Sequence, residues 1–229
     1  MLDPQPGDSV LDACAAPGGK TMFCAARMQG RGSVLALDVS RVRLAALREM
    51  AARQEHGGIV KTRIEDLRHF AGLQREGAAL QQADGTGRQA GQYDRVLLDA
   101  PCSGTGVLAK RADLRWRRQP AQLAQMASLQ RELLSAAAGL VAPGGLLVYS
   151  TCSIERQENQ QQVEAFLQQY PEFSVEPPPP ASSADASSAD ASSAGGVPPE
   201  CLDEQGFLRM LPHVHGTDGA FAARLRRRA

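Results

Sequence analysis

Two cysteines stand in short motifs suited to covalent chemistry. Cys102 lies in Asp99-Ala100-Pro101-Cys102-Ser103-Gly104-Thr105-Gly106, and Cys152 lies in Tyr149-Ser150-Thr151-Cys152-Ser153. Each follows an apolar run, Val96-Leu97-Leu98 or Leu146-Leu147-Val148, that reads as a strand buried on both faces. Open α/β sheets place their chemistry at the carboxyl ends of such strands. Two thiols delivered to one sheet edge imply a mechanism in which one of them is the nucleophile. A free thiol titrates near ~8.5 and is mostly protonated at neutral pH, so the site must lower that value. Lys20 and Lys110 are candidate cations for this. From the residues alone, either thiol can attack.

A second chemical feature stands near the start: Asp12-Ala13-Cys14-Ala15-Ala16-Pro17-Gly18-Gly19-Lys20-Thr21. Gly18 and Gly19 let the backbone approach a ligand with no Cβ between. A helix beginning there turns its first N–H groups toward an anionic group. Asp38 follows roughly 20 residues later, at the end of the next apolar run, where such folds bind ribose hydroxyls. Asp66, after a third run, suits an adenine amino group, with Glu65 as its competitor. The arrangement points to a nucleoside-bearing cofactor. The six-residue dinucleotide fingerprint G-x-G-x-x-G is absent.

These residues need a scaffold. Strands are expected over 9–13, 33–38, 59–62, 93–100 and 145–151, and helices over 20–28, 40–54, 120–141 and 155–170. Ser40 is a helix cap, and Pro143-Gly144-Gly145 stops the long third helix. Residues 207–211 and 221–225 form a closing pair of strands. Alternating strands and helices imply an α/β, mostly parallel sheet with helices on both faces. Residues 74–92 and 176–199 are Gly-, Gln-, Ser- and Pro-rich and offer little to bury, so they read as mobile insertions in a single domain over 1–229.

Composition bounds the rest. The 229 residues carry 25 basic and 25 acidic side chains, so any nucleic-acid surface must be a local basic patch. The candidates are Lys110-Arg111, Arg115 to Arg118, and the terminal Arg224, Arg226, Arg227 and Arg228. Five cysteines without a repeated close spacing disfavour a disulfide framework and a zinc knuckle, and favour a reducing compartment. No apolar run approaches the ~18 residues of a membrane span, and Met1-Leu2-Asp3-Pro4 lacks a secretory pattern. An intracellular, soluble protein is expected: cytoplasmic in a bacterium, in a plastid or other organelle in a eukaryote.

Together the three motifs resemble the Sun/Fmu family of S-adenosylmethionine-dependent RNA cytosine-5 methyltransferases. The resemblance implies a Rossmann-like methyltransferase sheet with an antiparallel C-terminal strand pair. It makes Cys14, Ala15, Ala16, Pro17, Gly18, Gly19 and Lys20 the cofactor loop, and Asp38, Asp66 and Asp99 its cofactor-contacting acids. In this family the thiol of the Thr-Cys-Ser motif attacks carbon 6 of cytosine, which makes carbon 5 nucleophilic toward a methyl group. Cys152 is thereby the nucleophile, Cys102 the thiol that assists product release, and Asp99 the acid at the base.

The stretch Lys110, Arg111, Ala112, Asp113, Leu114, Arg115, Trp116, Arg117, Arg118 is the expected RNA contact. Its cations neutralise phosphates, and Trp116 offers either a stacking face or a helix-packing anchor. Where the family has a proline in this stretch, Ala112 stands here. His213-Val214-His215-Gly216-Thr217-Asp218-Gly219 resembles the family's closing signature and is expected as a loop beside the active site. Its two histidines lack the further ligands of a zinc site. The ending from His215-Gly216-Thr217-Asp218-Gly219 through Arg224-Leu225-Arg226 looks most like the bacterial type of this family, and that resemblance implies small-subunit ribosomal RNA, with transfer RNA next. A non-catalytic RNA-binding or ribosome-assembly module and a DNA cytosine-5 methyltransferase are the rival classes. Family members carry an upstream RNA-recognition segment, whereas this chain begins almost at its first strand.

Overall fold

A computed structural model describes residues 1–79, 91–178 and 196–229. Five strands form the parallel part of one sheet: β1 (Ser9–Asp12), β2 (Ser33–Asp38), β3 (Val60–Ile64), β4 (Tyr93–Asp99) and β5 (Val141–Thr151). Three more, β6 (Phe173–Val175), β7 (Leu208–Met210) and β8 (Ala220–Arg227), run antiparallel to their neighbours. The strand order is β3-β2-β1-β4-β5-β8-β6, with β7 also paired to β8. The order reverses between β1 and β4, and in such sheets the crevice at that point takes the ligand. The expected fold class, an α/β methyltransferase-like sheet closed by antiparallel strands, is the one observed.

Side-chain alternation accounts for the layers. Successive strand residues face opposite sides of a sheet. In β4, Val96 and Leu98 join one buried cluster and Leu97 the other; in β5, Leu147 and Tyr149 oppose Leu146 and Val148. On one face lie α1 (Gly19–Arg27) and α2 (Arg41–Arg53), which bury Met22, Leu44 and Leu47. On the other lie α3 (Leu67–Ala79), α5 (Pro120–Ala138) and α6 (Gln160–Gln169), which bury Phe70, Leu133, Leu134 and Phe166. The short α4 (Leu114–Arg117) and α7 (Pro212–His215) lie in loops. Ser40 caps α2 by accepting from Arg43 N, as expected.

Several boundaries depart from expectation. Helix α3 occupies 67–79, so the front of the first supposed insertion is regular structure; its Phe70 and Ala71 are buried against α5. The remainder, 80–90, lies outside the described residues. Strand β6 follows α6 and pairs Phe173 with Arg227; three residues give too short a run for an alternation to be read. Strand β5 begins at Val141, and Pro143-Gly144-Gly145 forms an irregularity within it rather than a stop before it. At the second supposed insertion Glu176 is held, pairing with Arg224 and Arg226 at 2.5 Å each; residues 179–195 lie outside the described set. These pairs also correct the terminal basic patch: Arg224 is buried, and Arg227 donates to the Val141 carbonyl.

Asp12 ends β1 with its side chain buried. One carboxyl oxygen accepts from Thr21 Oγ1 at 2.7 Å; the other has no hydrogen-bond partner among the described residues. Burial pushes the carboxyl up to about 7 from 3.8, against the opposing Thr21 bond. The folded state therefore keeps a proton that the unfolded chain releases, and the contribution of Asp12 to stability falls as pH rises from about 4 to about 7. Asp12→Asn should remove that fall, gaining up to about 4 kcal/mol at pH 8 and little below pH 4. Urea unfolding of both proteins across this range checks it; parallel pH curves would refute it.

Candidate active site

The parallel register of β4 and β5 sets the two cysteine motifs side by side. Asp99 pairs with Ser150, and Ala100 N donates to the Ser150 carbonyl at 2.8 Å. Both chains then leave the sheet at the same height, and the Cys102 and Cys152 sulfurs lie 3.3 Å apart. Gly106 N donates to the Cys152 carbonyl at 3.0 Å, and Gly219 N donates to the Gly106 carbonyl at 2.8 Å. A Cβ on Gly106 would lie 2.7 Å from the Cys152 carbonyl oxygen and 2.8 Å from Gly219 Cα. Only glycine admits this approach. It seats Gly219, the end of the His213–Gly219 segment, against the Gly106 backbone, while His213 and His215 lie in the helical turn Pro212–His215.

The thiols are electrostatically unequal. A hydrogen bond from Cys102 holds Cys152 down at about 7, against burial and the Asp99 charge. Cys102, donating that bond and more deeply buried, is pushed up. Cations contribute less than sequence suggested: Lys20 is bound to Asp99 at 2.6 Å and lowers Cys152 only slightly, and Lys110 pairs with Asp218 at 2.6 Å. Burial pushes Cys14 and Cys24 up to about 12, which makes them poor nucleophiles at neutral pH.

Asp99 stands where two hollows meet. Its carboxyl oxygens accept from Ser150 Oγ at 2.8 Å and Lys20 Nζ at 2.6 Å. One hollow, about 270 Å³, is lined by Cys14, Ala16, Asp38, Val39, Glu65, Asp66, Asp99 and Pro101 among others. The other, about 550 Å³, is lined by Gly19, Lys20, Phe23, Asp99, Ser150, Thr151 and Cys152 among others. The first fits a nucleoside-bearing ligand: carboxylates from the ends of β2, β3 and β4 converge there at the switch point. Asp38 accepts from Ala16 N, Ser40 N and Arg43, and so also braces the 14–20 loop. Asp66 pairs with Arg68, and Glu65 with Arg63 and His69; both acids line the hollow.

Within the 14–20 loop, the residues divide. Cys14 and Ala16 face the first hollow, while Gly19 and Lys20 face the second. Ala15 is buried and donates to the Leu37 carbonyl, and Pro17 is exposed. Gly18 is glycine for an internal reason. Its φ is +115°, and a Cβ there would lie 2.7 Å from Leu47 Cγ of α2. Gly19 faces open space.

The basic stretch lies on the surface beside the thiols. Leu114 anchors α4 by burial, and the ring of Trp116 is 89% exposed, which removes the packing-anchor reading. Lys110, Arg111, Arg115 and Arg117 are exposed. Arg118 is half-buried and approaches the Cys102 carbonyl at 3.5 Å. Among the described residues no cluster of three or more His, Cys, Asp or Glu could hold a metal ion, and no helix is long and apolar enough to cross a membrane.

Sequence reasoning missed Glu158 and Asn159. Glu158 is fully buried beneath both cysteine loops and accepts from Ser103 and Ser153. Asn159 donates to the Ser153 carbonyl at 2.9 Å and accepts from Thr151 Oγ1 at 2.6 Å. A charged residue after Thr-Cys-Ser reads as solvated surface; adjacent Glu-Asn just before a helix was the available signal.

Because the Cys102 hydrogen bond is the largest cause of the low Cys152 value, Cys102→Ala should raise it to the ordinary thiol range of ~8.5 or above. Iodoacetamide alkylation of Cys152 at pH 7, followed by peptide mass spectrometry, should then slow about tenfold or more. An unchanged alkylation profile would refute the thiol–thiol account.

Comparison with known proteins agrees with this geometry. Residues 1–226 match the family described as "16S rRNA methyltransferase RsmB/F". A probable ribosomal RNA small subunit methyltransferase B from Bacillus subtilis is 36% identical over 227 residues, covering 99% of this chain and 45% of that protein. Ribosomal RNA small subunit methyltransferase B from Yersinia pseudotuberculosis is 40% identical over 175 residues, covering 76% and 37%. The chain thus spans less than half the length of these relatives. Among solved structures, NSun6 from Pyrococcus horikoshii, determined with SFG, aligns with a TM-score of 0.72 at 29% identity, covering 99% of this chain and 49% of that one. A methyltransferase homologue from the same organism aligns with a TM-score of 0.69 at 30% identity, covering 99% and 63%. The sequence match over nearly the whole chain, on a sheet that brings both cysteine motifs to one edge, establishes that this chain belongs to the RsmB/F family of S-adenosylmethionine-dependent rRNA methyltransferases.

Proposed function

We propose that this chain is a catalytic domain that methylates carbon 5 of cytosine in RNA, with small-subunit ribosomal RNA as substrate, through a covalent Cys152 adduct. The observation that carries the reading is the thiol pair at 3.3 Å, with Cys152 held near neutrality by Cys102. Carbon 5 of cytosine is a poor nucleophile until a thiolate adds to carbon 6. The Cys152 sulfur forms that bond, and the electron pair of the 5,6 double bond moves into the ring. Asp99 hydrogen-bonds the ring and its amino group and helps protonate it. The 14–20 loop, Asp38 and Asp66 would hold S-adenosylmethionine, whose methyl group would bond to carbon 5 as its bond to the sulfonium breaks, leaving S-adenosylhomocysteine. After a base removes the carbon 5 proton, the sulfur–carbon 6 bond breaks, and Cys102 assists that release. The larger hollow at Cys152 suits the flipped base, whose extrusion from a duplex costs a few kcal/mol. Exposed Trp116 and its neighbouring arginines bind the flanking RNA.

Transfer of labelled methyl from S-adenosylmethionine to small-subunit ribosomal RNA tests this, with transfer RNA and matched DNA as comparisons. Label should appear at carbon 5 with the parent and fall at least about a thousandfold with Cys152→Ala. Cys102→Ala should accumulate a denaturant-stable protein–RNA adduct. Label with Cys152→Ala, or an adduct surviving its loss, would overturn the assignment. Trp116→Ala should weaken RNA binding by about tenfold in a filter-binding assay, as expected for loss of one stacked base.

A further inference from the structure

We propose that Glu158 is a positioning residue: it sets the spacing of the two thiols by holding both cysteine-serine loops on one buried carboxylate. The inference rests on the reading of Cys152 as nucleophile and Cys102 as its release partner. Glu158 is fully buried, and no lysine, arginine or histidine among the described residues forms an ion pair with it. One oxygen accepts from Ser103 N at 2.8 Å and Gln130 Nε2 at 3.0 Å. The other accepts from Ser103 Oγ and Ser153 Oγ, at 2.5 Å each. Four donors fill the acceptor capacity of a carboxylate. Gln130 also donates to the Pro101 carbonyl at 2.9 Å, which adds a second hold on the first loop.

The consequence for the thiols is geometric. Ser103 follows Cys102 and Ser153 follows Cys152, so both loops are fixed one residue from the sulfur-bearing residue. Their ladder contact ends at the Ala100 N bond to Ser150. Beyond it the cross-links are Glu158, the Gly106–Cys152 bond and the Thr105 hydroxyl, which meets Ser153 Oγ at 3.2 Å and accepts from Ile154 N. Glu158 is the hub, since it alone binds both serines and Gln130. An amide at this place presents N–H groups to a set of donors and must break at least one hold. The charged and titratable groups acting on Cys152 are Cys102, Asp99 and Lys20. Glu158 is not among these groups, so replacing it without moving the loops would leave the Cys152 midpoint unchanged or lower it. Separating the thiols would raise it, because the Cys102 hydrogen bond is lost. Only the positioning role therefore predicts a rise.

The test uses Glu158→Gln and, as a milder disruption of the same links, Ser103→Ala/Ser153→Ala. Circular dichroism identifies the folded variants, and the pH profile of Cys152 alkylation by iodoacetamide is read by mass spectrometry. The expected result is a midpoint near 7 in the parent that rises by about one pH unit or more in either folded variant. Methyl transfer should fall at least tenfold in kcat, with KM for S-adenosylmethionine unchanged. An unchanged or lowered midpoint in a folded variant would overturn the proposal. So would a parent midpoint already in the ordinary thiol range. Alkylation needs no RNA, so a parent that shows the midpoint shift yet transfers no methyl would count against the proposed reaction and leave the positioning role standing.

Discussion

The in-register parallel pairing of β4 with β5 is the constraint from which the site follows. Parallel strands present their carboxyl ends on one edge, and pairing Asp99 with Ser150 makes the two loops start level. Fifty residues separate Cys102 from Cys152 in the chain, and most of that span is the crossover through α5. A register slip by one residue would turn every β5 side chain to the opposite face. Tyr149 and Val148 would exchange core clusters, and the Cys152 loop would leave at another height. The apolar alternation that fills the two cores is thus the same feature that aligns the thiols.

Two buried carboxylates show how differently a fold treats the same group. Glu158 has four donors and serves as a junction between loops. Asp12 has one oxygen satisfied by Thr21 and one without a partner among the described residues, and burial drives it toward the neutral form. Buried polar groups stabilise only when their hydrogen bonds are met. The difference lies in the surroundings: Asp12 has Thr21 as its side-chain donor, whereas Glu158 lies between two serine-bearing loops. Charge is partitioned just as selectively. With no net charge overall, the arginines of β8 serve internal pairs and carbonyls, while Arg115 and Arg117 beside Trp116 stay in solvent.

Much of this was legible in the sequence. Continuous apolar runs and glycine-proline punctuation marked the five parallel strands and the closing antiparallel pair. The resemblance to the Sun/Fmu family rested on contiguous motifs, and the family match bears it out. Elements without a local signature were lost. Helix α3 begins in a mixed polar stretch and is recognised only by Phe70 and Ala71 docking on α5. Strand β6 is three residues held by its neighbour β8.

By itself, the sequence determined the fold class, the two cysteine motifs, the glycine loop and the acids at strand ends, because each is a local pattern of residue type and spacing. Only the tertiary structure decided which groups meet. It brought Cys102 within 3.3 Å of Cys152, tied Lys20 to Asp99, exposed Trp116, and set Glu158 under both loops. These contacts join residues from distant parts of the chain, and their electrostatic effects depend on distance and burial, which exist only once the sheet has set its register.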